Sequence, residues 1–565
     1  MKRANIASTQ KQHFDIIVIG CGVTGAAIAK DASLRGMKVL VVEKNDIAAG
    51  TSSRSSKLIH GGLRYLETYQ FGLVAESVRE REMALRHAPH LTRLQPFLYM
   101  FYDDAPDKKW LLNMGLTFYD FVSGNWNKRR HKMLSKSQVL ARQPQFRSEG
   151  LNGAALFYDV STDDSRITID TMRTACENGA QLINHCEVTG LTFSDNKCDG
   201  IKVIDKLTKH EAQFKAHYII NASGPWSDNI LGFERSKSKV LRPTKGVHIV
   251  LRKSDFPLHS AVFTRSPDDG RVVWPIPSMQ DDRVFIGTTD TTYQGDLDNV
   301  CPDQSDIQYL LNVANHLMPK AKLGPQHVIG SWAGLRPLIA PKDDLNNSKT
   351  PREHQIMVSE SGLFSIVGGK LTSHRVMAKQ MLDYIIKYDR CQYLSPSVNI
   401  YRYDKVILSG AGVTLEDGKN YCANKIISEL NALGVPRELS ELWTSRYGKN
   451  AHLVADEYLK SQSNQKRLSM RGLTVAEVIY SISNEAAASL ADLMVRRTSE
   501  FFWDKSGGLL EIEAIATEMQ GLLNWSDEEK ARQIEEYRAL VTAHRPSMVR
   551  ESKTKTERPE MDPVC

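Results

Sequence analysis

A chain of 565 residues is too long for one hydrophobic core and predicts two or three domains. Its composition, 41% hydrophobic and 25% charged, is that of an ordinary globular protein and excludes a fibrous or disordered one. The net charge of +7 is thinly spread, without an RNP, zinc-finger or basic-helix signature; this sets nucleic acid aside and suits a phosphorylated substrate or an acidic membrane surface.

Eight cysteines lack a C-x-x-C pair or histidines at zinc-ligand spacing, so a reduced, cytosolic compartment is expected, without disulfides and without a metal. Residues 1–13 are basic and polar, carry no apolar secretory segment and read as a flexible terminus. The most apolar window, 14–29, is short for a bilayer span and contains Asp15, so any membrane contact is peripheral.

Residues 16–19 read as a β-branched strand, 20–25 as a glycine loop, 26–35 as a helix closed by Gly36, and 39–42 as a second strand. The loop Gly20-Cys21-Gly22-Val23-Thr24-Gly25 matches G-x-G-x-x-G. Its first glycine makes the turn, the second lets a diphosphate approach the backbone, and the third lets helix and strand pack closely. Glu43 ends the next strand, where a carboxylate accepts hydrogen bonds from ribose hydroxyls. Together these predict a dinucleotide site.

The stretch 51–67 follows, Thr-Ser-Ser-Arg-Ser-Ser-Lys-Leu-Ile-His-Gly-Gly-Leu-Arg-Tyr-Leu-Glu, and packs hydroxyls, cations and a glycine pair where a cofactor's phosphates and ring belong. Ser52, Ser53, Ser55 and Ser56 can bond to the cofactor, or some can merely cap the next helix. Residues 69–87 read as a helix with Phe71, Val74 and Val78 on one side. The aromatic-rich region 94–150, with a basic run at 128–132, looks like an excursion from the first domain.

Residues 164–179 read as a helix, 183–191 as a strand, and 201–204 with 213–220 as a strand pair. The small-residue turn Ala222-Ser223-Gly224 then permits close backbone approach to a ligand. Short strands at 247–251, 271–276 and 284–287, divided by Gly, Pro and Asp, predict a mostly antiparallel second domain. After a polar loop at 342–353 come strand 364–367, a third turn at Gly368-Gly369, and a helix over 371–388. Beyond about residue 400 the pattern is helical, with 419–433 ending at Gly434, Pro436 in a first turn, and capping boxes at Thr474/Glu477 and Ser526/Glu529. Residues 551–565 read as a disordered tail.

Taken in order, 51–67, Asn221-Ala-Ser-Gly-Pro-Trp226, Lys245-Gly-Val-His248, Gly287-Thr-Thr-Asp290, Trp332-Ala-Gly-Leu-Arg-Pro-Leu338 and Gly368-Gly-Lys-Leu-Thr372 resemble the FAD-dependent aerobic glycerol-3-phosphate dehydrogenases. Arg496-Arg497-Thr498 resembles that family's helical domain. The resemblance implies an α/β fold with an FAD-binding, two-dinucleotide-binding (Rossmann-like) domain over 14–93, 151–235 and 330–390. It adds an inserted, mostly antiparallel β substrate domain over 94–150 and 236–329, and a C-terminal all-α domain over 400–548. It further implies FAD as hydride acceptor, sn-glycerol 3-phosphate as substrate, dihydroxyacetone phosphate as product and quinone as the route of reoxidation. The absence of a D-x-[DN]-x-[DN]-G loop points to the bacterial type; Ser223 replaces the usual threonine of the flavin turn, and Cys21 takes a position that often holds glycine.

A phosphate dianion calls for guanidinium forks, and Arg64 and Arg336 match the family's substrate positions. The C2 alcohol must lose its proton as hydride leaves, and His248 and Lys370 match the family's positions for that task. His248 is preferred as base because histidine titrates near neutrality unaided, with Lys370 polarising the oxygen or steadying the reduced flavin; lysine as base would need its pKa lowered. Tyr65 either donates to the phosphate, closes the pocket or is a half-buried ring. The cofactor set under this resemblance is Gly20, Gly22, Gly25, Glu43, Thr51, Ser52, Ser53, Ser56, Lys57, Leu58, His60, Val188, Gly224, Gly369, Leu371 and Thr372.

Quinones reside in lipid, so the reading places the protein in the cytoplasm, bound peripherally to the inner face of the cytoplasmic membrane. Segments 371–388 and 110–126 are the interfacial candidates, and a homodimer is compatible with the resemblance. The nearest rival is an oxidase that passes electrons to O2 and makes H2O2. A nucleotide-binding regulatory protein without turnover is the other, and the joint presence of Arg64, His248, Arg336 and Lys370 argues against it.

Overall fold

The computed structural model describes residues 1–63, 70–103, 109–124, 130–234, 239–278, 282–340 and 354–545. The readings made for Arg64, Tyr65, Trp126, Lys128, Arg129, the 342–353 loop and the 551–565 tail lie outside them. Two sheets organise the described chain. The first runs Gln355–Val358, Phe364–Val367, Glu211–Asn221, His13–Ile19, Val39–Val42, Gln181–Ile183. The pairings from Phe364–Val367 to Gln181–Ile183 are parallel, which requires crossovers and cover on both faces. That explains the unbroken apolar runs: Ile16, Ile17, Val18 and Ile19 are all buried. Helices Val23–Leu34, Asp164–Glu177 and His374–Asp389 cover one face, and the Cys186–Ser194 and Lys197–Asp205 hairpin packs on the other.

The second sheet runs Thr291–Thr292, Thr244–Arg252, Arg283–Gly287, Val272–Pro277, Ala261–Arg265, Thr92–Tyr102, Leu151–Thr162, Leu58–Ile59, with Gly330–Arg336 also against Thr244–Arg252. It is antiparallel except where Ala261–Arg265 meets Thr92–Tyr102. Here the expected boundaries shift. Residues 151–162 and 330–336, assigned by sequence to the first domain, are strands of the second sheet, because Leu151–Thr162 pairs along the whole of Thr92–Tyr102.

Other expectations are corrected by specific contacts. The amino terminus, read from sequence as flexible, makes defined contacts: Arg3 pairs with Asp205 at 2.8 Å, the Ala4 amide donates to the Leu182 carbonyl, and Asn5 caps a short helix Ile6–Thr9. The strand read at 183–191 is two strands, broken at Asn184 and at His185, whose φ is 51°. The helix after the glycine loop starts at Val23, three residues early, because extended Gly22 is its N-cap. Each expected capping box is half formed. Thr474 and Ser526 accept the Glu477 and Glu529 amides, but the Glu477 carboxylate turns to Arg446 at 2.7 Å and to the Tyr447 hydroxyl at 2.6 Å.

The helix His374–Asp389 does not present its apolar face to a membrane. Met377, Ala378, Met381, Leu382 and Ile385 are buried in the core shared with Val23–Leu34, and Arg375 pairs with Glu80 and Asp404. Among the described residues, no helix is long and apolar enough to cross a membrane.

The C-terminal helices are tied to the first sheet by buried ion pairs. Arg497 grips both oxygens of Asp46, at 2.6 and 2.8 Å, and Arg496 reaches the same carboxylate at 2.6 Å. Asp492 takes Arg496 and His185, while Arg166 holds Glu485 by two bonds of 2.6 and 2.7 Å. Asp46, His185 and Asp492 approach one another as metal ligands would, but the guanidinium groups already engage their carboxylates.

Candidate active site

A cleft of ≈ 1070 Å³ is lined by residues of both sheets. At one end is the glycine loop. Gly20 has φ +100°, and a Cβ there would lie 2.8 Å from the Ala222 carbonyl oxygen, so the two turns that end adjacent parallel strands touch through backbone alone. Gly25 does not face the cleft; a Cβ on it would overlap the Gly20 carbonyl oxygen. Gly25→Ala therefore forces helix and loop apart, and FAD affinity is expected to fall roughly tenfold to a hundredfold for an overpacking cost of ~1–3 kcal/mol. Flavin titration of the apoprotein checks this, and unchanged affinity would show that the loop opens freely.

The Val23 amide, first of its helix, donates to the Ser52 hydroxyl at 2.9 Å, which sits where an anion would meet the helix N-terminus. Glu43 lies at the end of the second strand, accepting the Cys21 and Asn45 amides at 2.7 and 2.9 Å; burial raises its pKa and these bonds oppose the rise. Gly224, Gly368 and Gly369 all have positive φ and bring the other two turns close to the same space.

At the other end, Thr244–Arg252 supplies His248 and Gly330–Arg336 supplies Arg336. The His248 ring is buried, stacks on Trp332 at 4.8 Å with planes 11° apart, and has Ser56 Oγ 2.9 Å from its Nε2. Burial first, then the charges of Arg336 and Lys57, push its pKa well below the usual histidine value, so the ring is neutral at pH 7. The expectation of an unassisted, near-neutral histidine is corrected accordingly. The Arg336 fork is aimed by Asp290 at 3.1 Å, the Thr288 hydroxyl at 3.0 Å and the Thr289 carbonyl at 3.1 Å. Lys370, at the third turn, lines the same cleft.

Of the cofactor residues named from sequence, Gly20, Gly22, Glu43, Thr51, Ser52, Ser56, Leu58, His60, Val188, Gly224, Gly369, Leu371 and Thr372 line the cleft. Ser53 and Lys57 do not. Lys57 has φ 51°, which turns its side chain inward to Asp164 at 2.6 Å and over the Phe502 ring; buried Ser53 bonds to the Gly50 carbonyl. Several lining groups escaped the sequence reading. Arg54 lines the cleft and, among the described residues, donates a 3.4 Å bond to the Ala333 carbonyl; Asp290 was visible only as the end of a motif. Phe97, Phe157, Phe263 and Trp274 form an aromatic wall, brought together by strand pairing that no local pattern encodes.

An elongated dinucleotide fits this lining. Glycine turns leave room for a backbone-bound diphosphate, and the Thr244 hydroxyl and Trp274 indole nitrogen are buried cleft groups without a protein partner among the described residues. Fold and site define an FAD-dependent oxidoreductase. The family model of that description matches residues 15–381, and that of the C-terminal domain of alpha-glycerophosphate oxidase matches 403–530. An aerobic glycerol-3-phosphate dehydrogenase from Staphylococcus haemolyticus is 35% identical over 523 residues, covering 92% of this chain and 93% of the relative. One from Staphylococcus epidermidis is 34% identical over 544 residues, covering 96% and 97%. The crystal structure of the glycerol-3-phosphate dehydrogenase from Bacillus halodurans complexed with FAD superposes with a TM-score of 0.80 at 29% identity, covering 97% of this chain and 98% of that one. The chain belongs to the aerobic glycerol-3-phosphate dehydrogenase family, and its cofactor is FAD.

Proposed function

We propose that this protein oxidises sn-glycerol 3-phosphate at C2 to dihydroxyacetone phosphate and passes the electrons to a membrane quinone. The observation that carries the reading is the convergence of Arg336, His248 and Lys370 on one cleft with the glycine turns. FAD, when bound, supplies the two-electron acceptor for the C2 hydride. The turns at Gly20, Gly224 and Gly369, with Ser52 and Glu43, would hold it. Arg336 takes the substrate phosphate, a role that the family resemblance also gives Arg64; His248 is the base for the proton released from the C2 hydroxyl, and Lys370 polarises the oxygen as the carbonyl forms. The ring is neutral before substrate binds and so has a lone pair to offer at Nε2, while burial and the charges of Arg336 and Lys57 oppose its protonation.

The wall of Phe97, Phe157, Phe263 and Trp274 is larger than a three-carbon phosphate needs and offers flat apolar surface to the flavin and to a quinone ring beside it. Tyr119, on helix Lys109–Val122, donates to Asp159 of the cleft at 2.6 Å, and the outer side of that helix exposes Trp110 (61%), Met114 (60%) and Phe121 (73%). Exposed Phe71, edge-on to Phe118, extends this apolar face, which supports peripheral contact with the inner face of the membrane.

Anaerobic addition of sn-glycerol 3-phosphate to the holoprotein should bleach the flavin. Reoxidation should then be fast with a soluble quinone analogue and yield little peroxide in air. Stoichiometric H2O2 with slow quinone reduction would make the protein an oxidase instead, and no bleaching would refute the substrate.

A further inference from the structure

The two nitrogens of His248 are unequally placed. Nδ1 is buried and has no partner among the described residues, while Nε2 meets Ser56 Oγ at 2.9 Å. The ring is 3% exposed, lies flat on Trp332, and is backed along its Cδ2–Nε2 edge by Gly287, where a Cβ would collide with it. The imidazole therefore exchanges protons through Nε2, and Ser56 stands at that atom.

Ser56 is held for this position by its neighbours. The Ser55 amide and hydroxyl both donate to Asp164 Oδ2, at 3.0 and 2.7 Å, and Lys57 Nζ donates to Asp164 Oδ1 at 2.6 Å. With the residues on either side fastened to one buried carboxylate, Ser56 is left lining the cleft.

We propose that Ser56 is the proton relay between the C2 hydroxyl and His248, an inference that rests on the substrate reading above. The C2 hydroxyl proton passes to Ser56 Oγ as Ser56's own proton passes to His248 Nε2. The O–H bonding pair becomes the carbonyl π bond as hydride is released from C2, for which FAD, when bound, would be the acceptor. Ser56 ends as a hydroxyl and His248 as an imidazolium, so the proton balance needs no group beyond these two residues. The assignment fixes the resting tautomer: the proton sits on Nδ1, and Nε2 accepts from Ser56.

Stopped-flow reduction of the holoprotein by sn-glycerol 3-phosphate, without oxygen and in H2O/D2O mixtures, tests this. Ser56→Ala is expected to keep its FAD and its substrate dissociation constant while reduction slows on the order of 100-fold, with Ser56→Thr restoring it to within about tenfold of wild type. The wild-type rate should curve with deuterium fraction, as two protons in flight require, and the residual Ser56→Ala rate should vary linearly. Wild-type speed in Ser56→Ala, a linear wild-type dependence, or a threonine variant no faster than alanine would overturn the relay. Loss of FAD from Ser56→Ala would make Ser56 a cofactor ligand instead. A wild-type flavin that this substrate does not bleach would remove the substrate reading and the relay with it.

Discussion

Arg336→Ala is expected to lower kcat/KM for sn-glycerol 3-phosphate by roughly two to four decades while leaving FAD content intact. Two charge-assisted hydrogen bonds to a phosphate contribute ~1.5–3 kcal/mol each, and about 1.4 kcal/mol is a factor of ten. The guanidinium is aimed before substrate arrives, because Asp290 holds Nη1 and Thr288 and Thr289 hold Nη2, which fixes the plane of the fork. The Arg336–Asp290 pair is itself about a third exposed, at 29% and 31%, and adds little stability, so the loss should register in catalysis rather than folding. Arg336→Lys keeps the charge but not the fork and should recover only part of the loss. If the phosphate helps to position C2, kcat falls along with the rise in KM; a rise in KM alone would mean uniform binding. A kcat/KM within threefold of wild type in the alanine variant would show that the phosphate is bound elsewhere.

The cleft was legible in sequence where local backbone geometry does the work. Gly20, at φ +100°, and Gly25, whose Cβ would meet the Gly20 carbonyl oxygen at 2.0 Å, are glycines for reasons that operate within the loop, and the G-x-G-x-x-G spacing records those reasons. Glu43 followed from its place at a strand end. Side-chain direction in the 51–58 stretch was not legible, because it depends on Asp164, a partner 107 residues from Lys57. The sequence offered Lys57 as a cation for cofactor phosphates, and only the fold shows it serving a buried carboxylate.

Sheet membership was not legible for a related reason. Leu151–Thr162 and Gly330–Arg336 are apolar runs equally at home in either sheet, and register with Thr92–Tyr102 and Thr244–Arg252 decides between them. The helix His374–Asp389 illustrates the ambiguity of amphipathic patterns. An apolar stripe beside basic residues suits a membrane surface or a protein core, and burial against Val23–Leu34 decides for the core.

Arg496 and Arg497 entered as a family likeness without a task, and Asp46 supplies one. Asp46 follows Glu43 by three residues, and its loop rests on the glycine loop through the Ala48 amide bonded to the Cys21 carbonyl. The carboxylate is fully buried and compensates two guanidinium groups, so Asp46→Asn strands positive charge in the interior. Breaking a buried pair from one side costs ~3–5 kcal/mol, and here the strain falls on the joint between the C-terminal helices and the cofactor loop. Arg496 retains Asp492 at 2.6 Å, whereas Arg497 retains the longer 3.7 Å pair with Glu485, so Arg497 bears most of the loss. Calorimetry should show the C-terminal unit melting earlier, limited proteolysis should release it, and FAD should bind more weakly. The double variant Asp46→Asn/Arg497→Met should be more stable than Asp46→Asn alone, because the buried charge left with only the distant Glu485 pair is gone. If the two substitutions instead destabilise additively, the clamp is not an energetic unit and the C-terminal helices are held by apolar packing.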